Sequence, residues 1–556
     1  MRAFLVAASL AALLAVPALA AQRPAPPSSH NYILGRFADA DNRPDDAARY
    51  YDAALKADPG DTTLQRRAFD AALAGGDERL AVGLARDLDA ARAGDAATAL
   101  VRLADAVKRR DWAAAAAVKG LPDVGYAAVV APVTQAWIAV GRGDVDGALA
   151  LVDPAKFAGV AKSYVTEHRA MILAAARRYA DAAPLFVAMV ADEAKNVDRL
   201  RIAGAGSLAA AHKVDEAKAL LAAGDPDPAL DAAAKRLAHG EPLAAATEPR
   251  QGLAWLMTRL AGDLSREKPV SLALAFARTA TFLAPDLGET WLIAGDVLLR
   301  GGRAEAALAA FGHVGPRDPV AATAEVHRGL ALAELDRNDE ARRVFERAAT
   351  AREATADDWQ RLGDFERKLN NHAAAAEDYG KAIALAGDKA GWALYFLRGA
   401  AYEQAGDWAR AEPDLRRALA LQPDDPTVLN YLGYALLDRG QKLAEAQALI
   451  ATAAKLRPDD GFIADSLGWA WFRSGDFARA VAQLEIAARL EPGDATINDH
   501  LGDAYWRVGR RLEARFRWRA AADLSPEPAE AKLLAKKLDF GLDVATADTA
   551  PPPPKP

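Results

Sequence analysis

A spacing of about 34 residues between alanines constrains the fold of this chain more than any other feature. One alanine recurs in steps of 33 to 35 residues, is lost for a stretch, and returns in steps of 34 to 36 residues. Its positions are Ala47, Ala81, Ala115, Ala148, Ala182 and Ala217, then Ala273, Ala307, Ala341, Ala375, Ala411, Ala446, Ala480 and Ala514. A register kept over these positions indicates a repeat architecture, in which each unit packs mainly against its neighbours.

Other residue types share this register and indicate how each unit packs. A glycine recurs in the first half of the units, a bulky residue follows the alanine by four positions, and a proline closes several units. The glycines are Gly295, Gly329, Gly363, Gly399, Gly433, Gly468 and Gly502; the bulky residues are Tyr51, Phe311, Phe345, Tyr379, Leu415, Leu484 and Trp518. Small residues let two helices approach, the bulky residue fills the space between them, and proline ends the second helix.

Composition agrees with a helical chain and excludes several classes of site. Hydrophobic residues make up 52% of the 556 residues, with alanine dominant and only 7% aromatic residues, and alanine is the best helix former. The net charge of −7 argues against a nucleic-acid-binding protein, which usually carries a basic excess. The chain has no cysteine, so disulfides, thiolate metal sites and a lipid-modified N-terminal cysteine are not expected.

The repeat pattern resembles that of the tetratricopeptide repeat, W-x2-L-G-x2-Y followed by A-x3-F and P. Residues 494–526 carry it through Leu501, Gly502, Tyr505, Ala514, Trp518, Ala521 and Pro526, and the likeness is strong from about residue 287. It is clear again at residues 31–59 and degenerate between 62 and 223. The resemblance implies an all-α, right-handed superhelical solenoid of helix-turn-helix hairpins, with about 14 candidate repeats and a C-terminal capping helix.

The ends of the chain and one interruption predict its domain organisation. Met1-Arg2, an apolar run and Ala18-Leu19-Ala20 form the pattern of a secretory signal peptide, and the run is shorter than a membrane-spanning helix. We predict cleavage after Ala20 and a periplasmic or secreted mature protein. The predicted segments are a signal peptide (1–20), a flexible leader (21–30), a degenerate repeat block (31–224), a joint (225–250), a regular repeat block (251–526), a capping helix (527–540) and a proline-rich disordered tail (541–556).

Motifs for catalysis, metals or cofactors are weak, and the sequence predicts no enzyme and no cofactor. The eight histidines form no metal-spaced pair. Asp465-Ser466 and His500 lie one repeat apart and could be near neighbours, but Ser466 lacks the strand-to-helix elbow of a hydrolase nucleophile. The run from Gly204 to Ser207 lacks the lysine of a phosphate loop, and a helix-packing seam is the favoured interpretation.

An arginine cluster near the end of the last repeat is the most distinctive charge feature. It comprises Arg507, Arg510, Arg511, Arg515, Arg517 and Arg519. These side chains could contact acidic lipid or an acidic partner. The favoured interpretation is a charged surface offset by the acidic residues around it.

By resemblance to the family, the first helix of each repeat lines a concave binding face, and this predicts the site residues. They are Asn430, Tyr434, Asp465, Trp469, Phe472, Arg473, Asp499, Asp503, Trp506 and Arg507. Tryptophan, tyrosine and arginine are enriched in binding hot spots, and large apolar side chains on an accessible face mark interaction sites. The alternative is that these rings pack against the neighbouring repeat or the capping helix.

The last hundred residues are similar to the C-terminal repeats of bacterial cell-envelope tetratricopeptide proteins. The likeness rests on Tyr431-Leu-Gly-Tyr434, Asp465-Ser-Leu-Gly-Trp469 and Asp499-His-Leu-Gly-Asp503. Some of those proteins are lipoprotein adaptors that bring cell-wall hydrolases to carboxy-terminal processing proteases, which implies such a protease or hydrolase as partner. This chain lacks their lipid-anchored cysteine.

The alternatives are a peptidoglycan- or glycan-binding module, for which aromatic platforms would serve, and an enzyme or a regulatory subunit of an envelope enzyme. No nucleic acid and no transmembrane segment are expected, and self-association stays open.

Overall fold

Polar caps begin many of the helices of this chain. The computed structural model describes residues 27–123, 125–192, 198–223, 228–243, 248–266, 270–352, 354–524 and 526–545. The Asp425 carboxylate accepts hydrogen bonds from the backbone N–H groups of Thr427 and Val428, and Asp460 caps the corresponding helix one repeat later. These N-caps satisfy backbone donors that the first turn of a helix leaves unpaired.

The described ranges contain 31 α-helices and no β-strand, so the predicted all-α class is confirmed. The first thirteen are α1 (Pro27–Ala40), α2 (Pro44–Leu55), α3 (Thr62–Gly75), α4 (Glu78–Ala90), α5 (Ala96–Lys108), α6 (Trp112–Ala117), α7 (Val130–Gly141), α8 (Val145–Leu151), α9 (Gly159–Ala175), α10 (Tyr179–Asp192), α11 (Asp198–Ala210), α12 (Val214–Ala222) and α13 (Pro228–Ala238).

The remaining helices continue the alternation of long helices and short turns. They are α14 (Pro249–Ser265), α15 (Val270–Leu283), α16 (Gly288–Arg300), α17 (Ala304–Phe311), α18 (Ala321–Glu334), α19 (Asn338–Ala349), α20 (Ala356–Lys368), α21 (His372–Ala386), α22 (Trp392–Gln404), α23 (Trp408–Leu421), α24 (Pro426–Asp438), α25 (Leu443–Leu456), α26 (Gly461–Arg473), α27 (Phe477–Leu490), α28 (Ala495–Arg507), α29 (Arg511–Asp523), α30 (Pro528–Phe540) and α31 (Leu542–Ala545). By their contacts the residues fall into two compact units, Met1–Val344 and Phe345–Pro556.

In the second unit, the most extensive contacts join the two helices of each hairpin, and a glycine marks each close approach. A Cβ atom on Gly502 would lie 2.5 Å from Trp518, and one on Gly468 would lie 2.6 Å from Leu484. Gly363 meets Tyr379, Gly399 meets Leu415, and Gly433 meets Ile450 in the same way. The repeated glycines and the bulky residues four positions after each alanine therefore pair as predicted, and Ile450 completes the series.

The first unit differs from a simple array because two of its helices pack back onto earlier ones. Helix α15 contacts α3 and α5, and α14 contacts α7 and α9. The Arg278 guanidinium, almost fully buried, donates a hydrogen bond of 2.5 Å to the carbonyl oxygen of Ala74. Tyr164 of α9 donates a hydrogen bond of 2.5 Å to Asp263 of α14. Helices α14 and α15 thus cover the surface of the degenerate repeats that they contact.

The predicted joint at 225–250 contains α13, whose Leu230, Ala233 and Leu237 are buried against α11 and α12. The contacts divide the chain at Val344 rather than at the joint, because α14 and α15 belong to the same unit as the repeats before them. The period of the sequence carries no signal for such a long-range return of the chain.

The predicted ends of the chain are only partly within the described residues. The proposed signal peptide lies outside them, as does the tail from residue 546 onward. Helix α1 begins at Pro27, inside the predicted leader, and α31 lies inside the predicted tail, where Leu542 and Ala545 are buried against the preceding helices. Within the described ranges no helix has the length and apolar character that crossing a bilayer requires.

We predict that Gly502→Ala destabilises the second unit by about 1–3 kcal/mol, because its new methyl group overpacks against the buried Trp518 ring. Alanine raises helix propensity by up to about 1 kcal/mol, so a net loss of stability would identify the steric term as dominant. The matched control is Gly493→Ala, where an added Cβ meets open space. Urea unfolding followed by tryptophan fluorescence measures both variants, and equal stability of the two would contradict the packing argument.

Candidate protein-binding face of the C-terminal repeats

The first helices of the last three hairpins, α24, α26 and α28, place the predicted site residues at equivalent positions. Neighbouring first helices contact each other, so their side chains form one surface, here called the first-helix face. Asn430, Asp465 and Asp499 occupy one repeat position, and Tyr434, Trp469 and Asp503 occupy the next. Phe472 and Trp506 share a third position, and Arg473 and Arg507 share a fourth.

In the last repeat this surface is covered by the capping helix α30. The Lys537 ammonium lies 2.7 Å from both carboxylate oxygens of Asp499 and 2.8 Å from the Asp503 carboxylate. Lys537 is only 2% exposed, so this is a buried ionic cluster. The indole N–H of Trp518 donates a hydrogen bond of 2.9 Å to Asp503, so this buried carboxylate accepts hydrogen bonds from both Lys537 and Trp518.

The segment after α30 engages the other two predicted residues of the last repeat. The indole N–H of Trp506 donates to one Asp543 oxygen at 2.9 Å, and Arg507 donates to the other at 2.7 Å. Gly541, with a φ of +84°, presses against the Trp506 ring so closely that a side chain has no room there. Asp499, Asp503, Trp506 and Arg507 therefore all have partners within the chain.

The middle repeat contributes a stacked and ion-paired cluster. His500 Nδ1 lies 3.0 Å from both oxygens of Asp465, and both residues are buried. The Trp469 indole is nearly parallel to the His500 ring at 4.0 Å and to the Phe472 ring at 4.6 Å between centroids. Asp465 and His500, which lie one repeat apart in the sequence and were expected to approach each other, thus form an interhelical contact that links α26 to α28.

The part of the first-helix face nearest α24 has unsatisfied polar groups. The Oδ1 atom of Asn430 is buried without a hydrogen-bond partner among the described residues, and the Tyr434 hydroxyl also lacks one there. Burial raises the pKa of Tyr434 to about 12, so it stays a neutral donor. Arg473 is exposed and forms no ion pair within the described part of the chain, and Phe462 is 56% exposed.

Burial and charge shift the pKa of two groups beneath the capping helix. Burial alone lowers the pKa of His500, but the carboxylate of Asp465 outweighs it and the net shift is upward. Burial raises the pKa of Asp503 to about 6, although Lys537 opposes the shift. Lys537 itself is held protonated, because the two carboxylates outweigh the cost of its burial.

The geometry does not assemble a hydrolytic site at Ser466. Its hydroxyl donates to the carbonyl oxygen of Phe462, and His500 pairs with Asp465 instead of with this serine. Gly204 packs against Leu220 and Phe186, in agreement with a helix-packing seam. Within the described ranges no group of three His, Asp or Glu residues is placed to hold a metal ion.

A chain of paired helices with a common period of about 34 residues is a helical repeat protein. The family model of the tetratricopeptide repeat matches residues 361–426, 396–461 and 466–518. These stretches of the chain therefore carry tetratricopeptide repeats, a class of helical repeat that serves as a scaffold for protein–protein interaction.

A curated relative, a TPR repeat-containing protein of Pseudomonas aeruginosa, is 33% identical over 87 residues, which is 16% of this chain and 15% of the relative. The match thus spans less than a sixth of that relative's length.

Several solved structures of repeat proteins are similar. The Cut9–Hcn1 hetero-tetramer of the APC/C is 16% identical, with 96% of this chain and 99% of the other covered and a TM-score of 0.37. A tetratricopeptide repeat protein from Parabacteroides merdae is 16% identical over 45% of this chain and 97% of the other, with a TM-score of 0.39. YrrB, described as a TPR protein with an unusual peptide-binding site, is 23% identical over 35% and 98%, with a TM-score of 0.28.

Lys537 and Asp543 were missed as functional candidates because they lie beyond the last repeat. The signal for Lys537 was available in part. It follows Leu534 by three positions on a helix whose apolar residues face the array, so it occupies the buried side of that helix. The partners of the lysine, two carboxylates on another helix, could be assigned only from the tertiary structure.

We predict that Lys537→Met weakens docking of the capping helix by roughly 3–5 kcal/mol, because it leaves two carboxylates without their buried cation. The neighbouring exposed residue supplies the control, and Lys536→Met should change stability by no more than about 0.5 kcal/mol. Hydrogen exchange of residues 528–545 measures the effect. Equal protection in the two variants would contradict a role for the cluster in docking.

We also predict that the last hairpin loses stability as the pH rises through the mildly acidic range. A folded-state pKa above its unfolded value stabilises the fold at low pH, and this gain is lost as the pH rises through the folded pKa. For Asp503 this stabilisation is lost as the pH rises from 3.8, the ordinary pKa of the group, to about 6. For His500 the loss begins near pH 6.5, the ordinary pKa of histidine. The Trp506 indole and Arg507 lower the pKa of Asp543, which stays ionised throughout this window.

Hydrogen exchange of α28 to α30, corrected for intrinsic rates, should therefore show faster opening at about pH 8 than at about pH 5.5. His500→Asn should reduce the part of this dependence above pH 6.5. Opening of the wild type that is independent of pH, or that becomes slower as the pH rises, would refute the assignment.

Proposed function

We propose that this protein is a non-enzymatic scaffold of the bacterial cell envelope that binds a segment of a partner protein on the first-helix face around α24 and α26. The observation that carries the proposal is the contrast between repeats. In the last repeat Lys537 of the capping helix satisfies Asp499 and Asp503, and Asp543 of α31 satisfies Trp506 and Arg507. By contrast, Asn430, Tyr434 and Arg473 have no partner among the described residues. A buried acceptor without a hydrogen bond costs free energy, which a bound partner would recover.

The capping helix indicates the chemistry that suits such a face. It inserts Lys537 between carboxylates, and the following helix α31 presents the Asp543 carboxylate to an arginine and an indole N–H. At the equivalent positions two repeats earlier, the corresponding groups are an amide oxygen and a phenol, and Arg473 follows on α26. A partner segment with a hydrogen-bond donor for Asn430 and a carboxylate for Arg473 would satisfy this surface.

The cellular setting of the proposal comes from the sequence. The pattern at Met1–Ala20 supports export and cleavage, and the likeness of the last repeats to envelope adaptors supports a carboxy-terminal processing protease or a cell-wall hydrolase as partner.

The glycan-binding alternative is less favoured by the geometry, because two rings stack parallel to Trp469 and Gly541 covers Trp506. The rings that would serve as a sugar platform are largely used within the chain. A regulatory subunit of an envelope enzyme would use the same face and differs only in the activity of its partner.

The proposal predicts that a photoreactive residue replacing Phe462 crosslinks to a defined envelope protein in intact cells. A photoreactive residue at Arg489, exposed on the second helix α27, is the matched control and should not crosslink to it. With the identified partner purified, Arg473→Glu should weaken binding about ten-fold or more, which is about 1.4 kcal/mol, and Arg489→Glu should not. Identical crosslinks from both sites would show that the first-helix face is not the binding site.

A further inference from the structure

The outer surface of the last hairpin exposes two large apolar side chains that the fold does not use. Helix α29 packs into the array through Ala514, Trp518 and Ala521, which are buried. On its opposite side, Leu512 is 68% exposed and Phe516 is 66% exposed. Neither side chain is needed to hold the helix in place, so their hydrophobicity requires another explanation.

Two arginines flank these residues on the same side of the helix. Leu512, Arg515, Phe516 and Arg519 follow one another at intervals of three, one and three residues, which places all four on one helical stripe. Leu538 of α30 adds a third apolar side chain, and the five residues line a shallow cleft of about 210 Å³. We refer to these five residues as the arginine–phenylalanine ridge.

The charges of the ridge are unusual within the arginine cluster recognised in the sequence. Arg507 pairs with Asp543, Arg510 pairs with Glu485 and Glu513, Arg511 lies over the Trp506 ring, and Arg517 donates to the side-chain oxygen of Asn498. Within the described part of the chain, Arg515 and Arg519 have no ion pair, and Asp523, one turn beyond Arg519, does not form one with it. The expectation of a fully offset charged surface thus holds for part of the cluster and fails at the ridge.

We infer that the ridge binds the surface of a membrane that contains anionic phospholipid. Exposed leucine and phenylalanine side chains flanked by arginines suit the lipid–water interface, where apolar groups enter the acyl boundary and cationic groups are attracted to anionic lipid. The guanidinium groups would contact lipid phosphates while Leu512 and Phe516 enter the acyl boundary.

The size of the ridge favours a membrane over a protein partner. It extends over only about two helical turns, roughly 11 Å of helix. A stable protein interface requires a larger surface, about 800 Å² on each partner. The cleft has room for one side chain or a short piece of acyl chain and does not accommodate a docking helix. The ridge is also separate in sequence position from Asn430, Tyr434 and Arg473, so the inference does not depend on the proposed function.

Sedimentation of the full-length protein with lipid vesicles tests the inference. We expect binding to phosphatidylcholine vesicles that contain a minority of phosphatidylglycerol, little binding to pure phosphatidylcholine, and weaker binding at high salt. The variants Arg515→Glu with Arg519→Glu, and Leu512→Ser with Phe516→Ser, should each reduce partition to anionic vesicles by about ten-fold or more. All four positions are exposed, and circular dichroism and urea unfolding verify that both variants are folded.

The matched controls lie in the other compact unit. Arg317→Glu reverses an exposed charge, and Phe37→Ser removes an exposed ring, and both should leave vesicle binding unchanged. Absence of binding to anionic vesicles at low salt would overturn the inference, and so would equal binding by the wild type and the ridge variants. If the wild type does not bind vesicles and the ridge variants lose a specific protein crosslink, the ridge is a protein contact and the membrane assignment is wrong.

Discussion

Each hairpin of the regular repeats depends on the close approach of a glycine in its first helix to a bulky side chain in its second. The distances leave no room for a methyl group at Gly468 or Gly502. Because the partner side chain is buried by the backbone of the neighbouring helix, one contact sets both the separation of the two helices and the position of the next first helix. The spacing of the side chains on the first-helix face is therefore set by the packing on the opposite side of the same helices.

The array must end, and its last exposed face is closed by an ionic cluster as well as by apolar packing. Leu534 and Leu542 supply the apolar part, and Lys537 joins α30 to α28 through Asp499 and Asp503. A buried lysine between two carboxylates is specific in its geometry, since displacing it would leave two charges in a poorly hydrated site. This closure satisfies the last repeat, whereas the Oδ1 atom of Asn430 two repeats earlier stays buried without a hydrogen-bond partner among the described residues.

The two compact units show different outcomes for similar hairpins. In the first unit α14 and α15 return to cover earlier helices, and contacts such as Arg278 with Ala74 span about 200 positions of sequence. In the second unit the capping helix covers the last first helix, whereas Asn430 and Tyr434 of α24 and Arg473 of α26 have no partner among the described residues. Because of this difference, the proposed binding function is assigned to the second unit. The arginine–phenylalanine ridge is a separate exposed surface in the same unit.

The sequence by itself determined the helical class, the repeat period and the glycine–bulky pairs, because these depend on residues close together in the chain and repeated many times. It also brought together Asp465 and His500, since one repeat of spacing places equivalent positions on adjacent helices. Only the tertiary structure decided that Trp506 and Arg507 meet Asp543, that Lys537 lies between two carboxylates, and that the predicted joint is followed by helices that pack back. Those contacts break the repeat symmetry and join segments whose spacing has no period, so no local pattern specifies them; they follow from which apolar faces remain uncovered once the hairpins have formed.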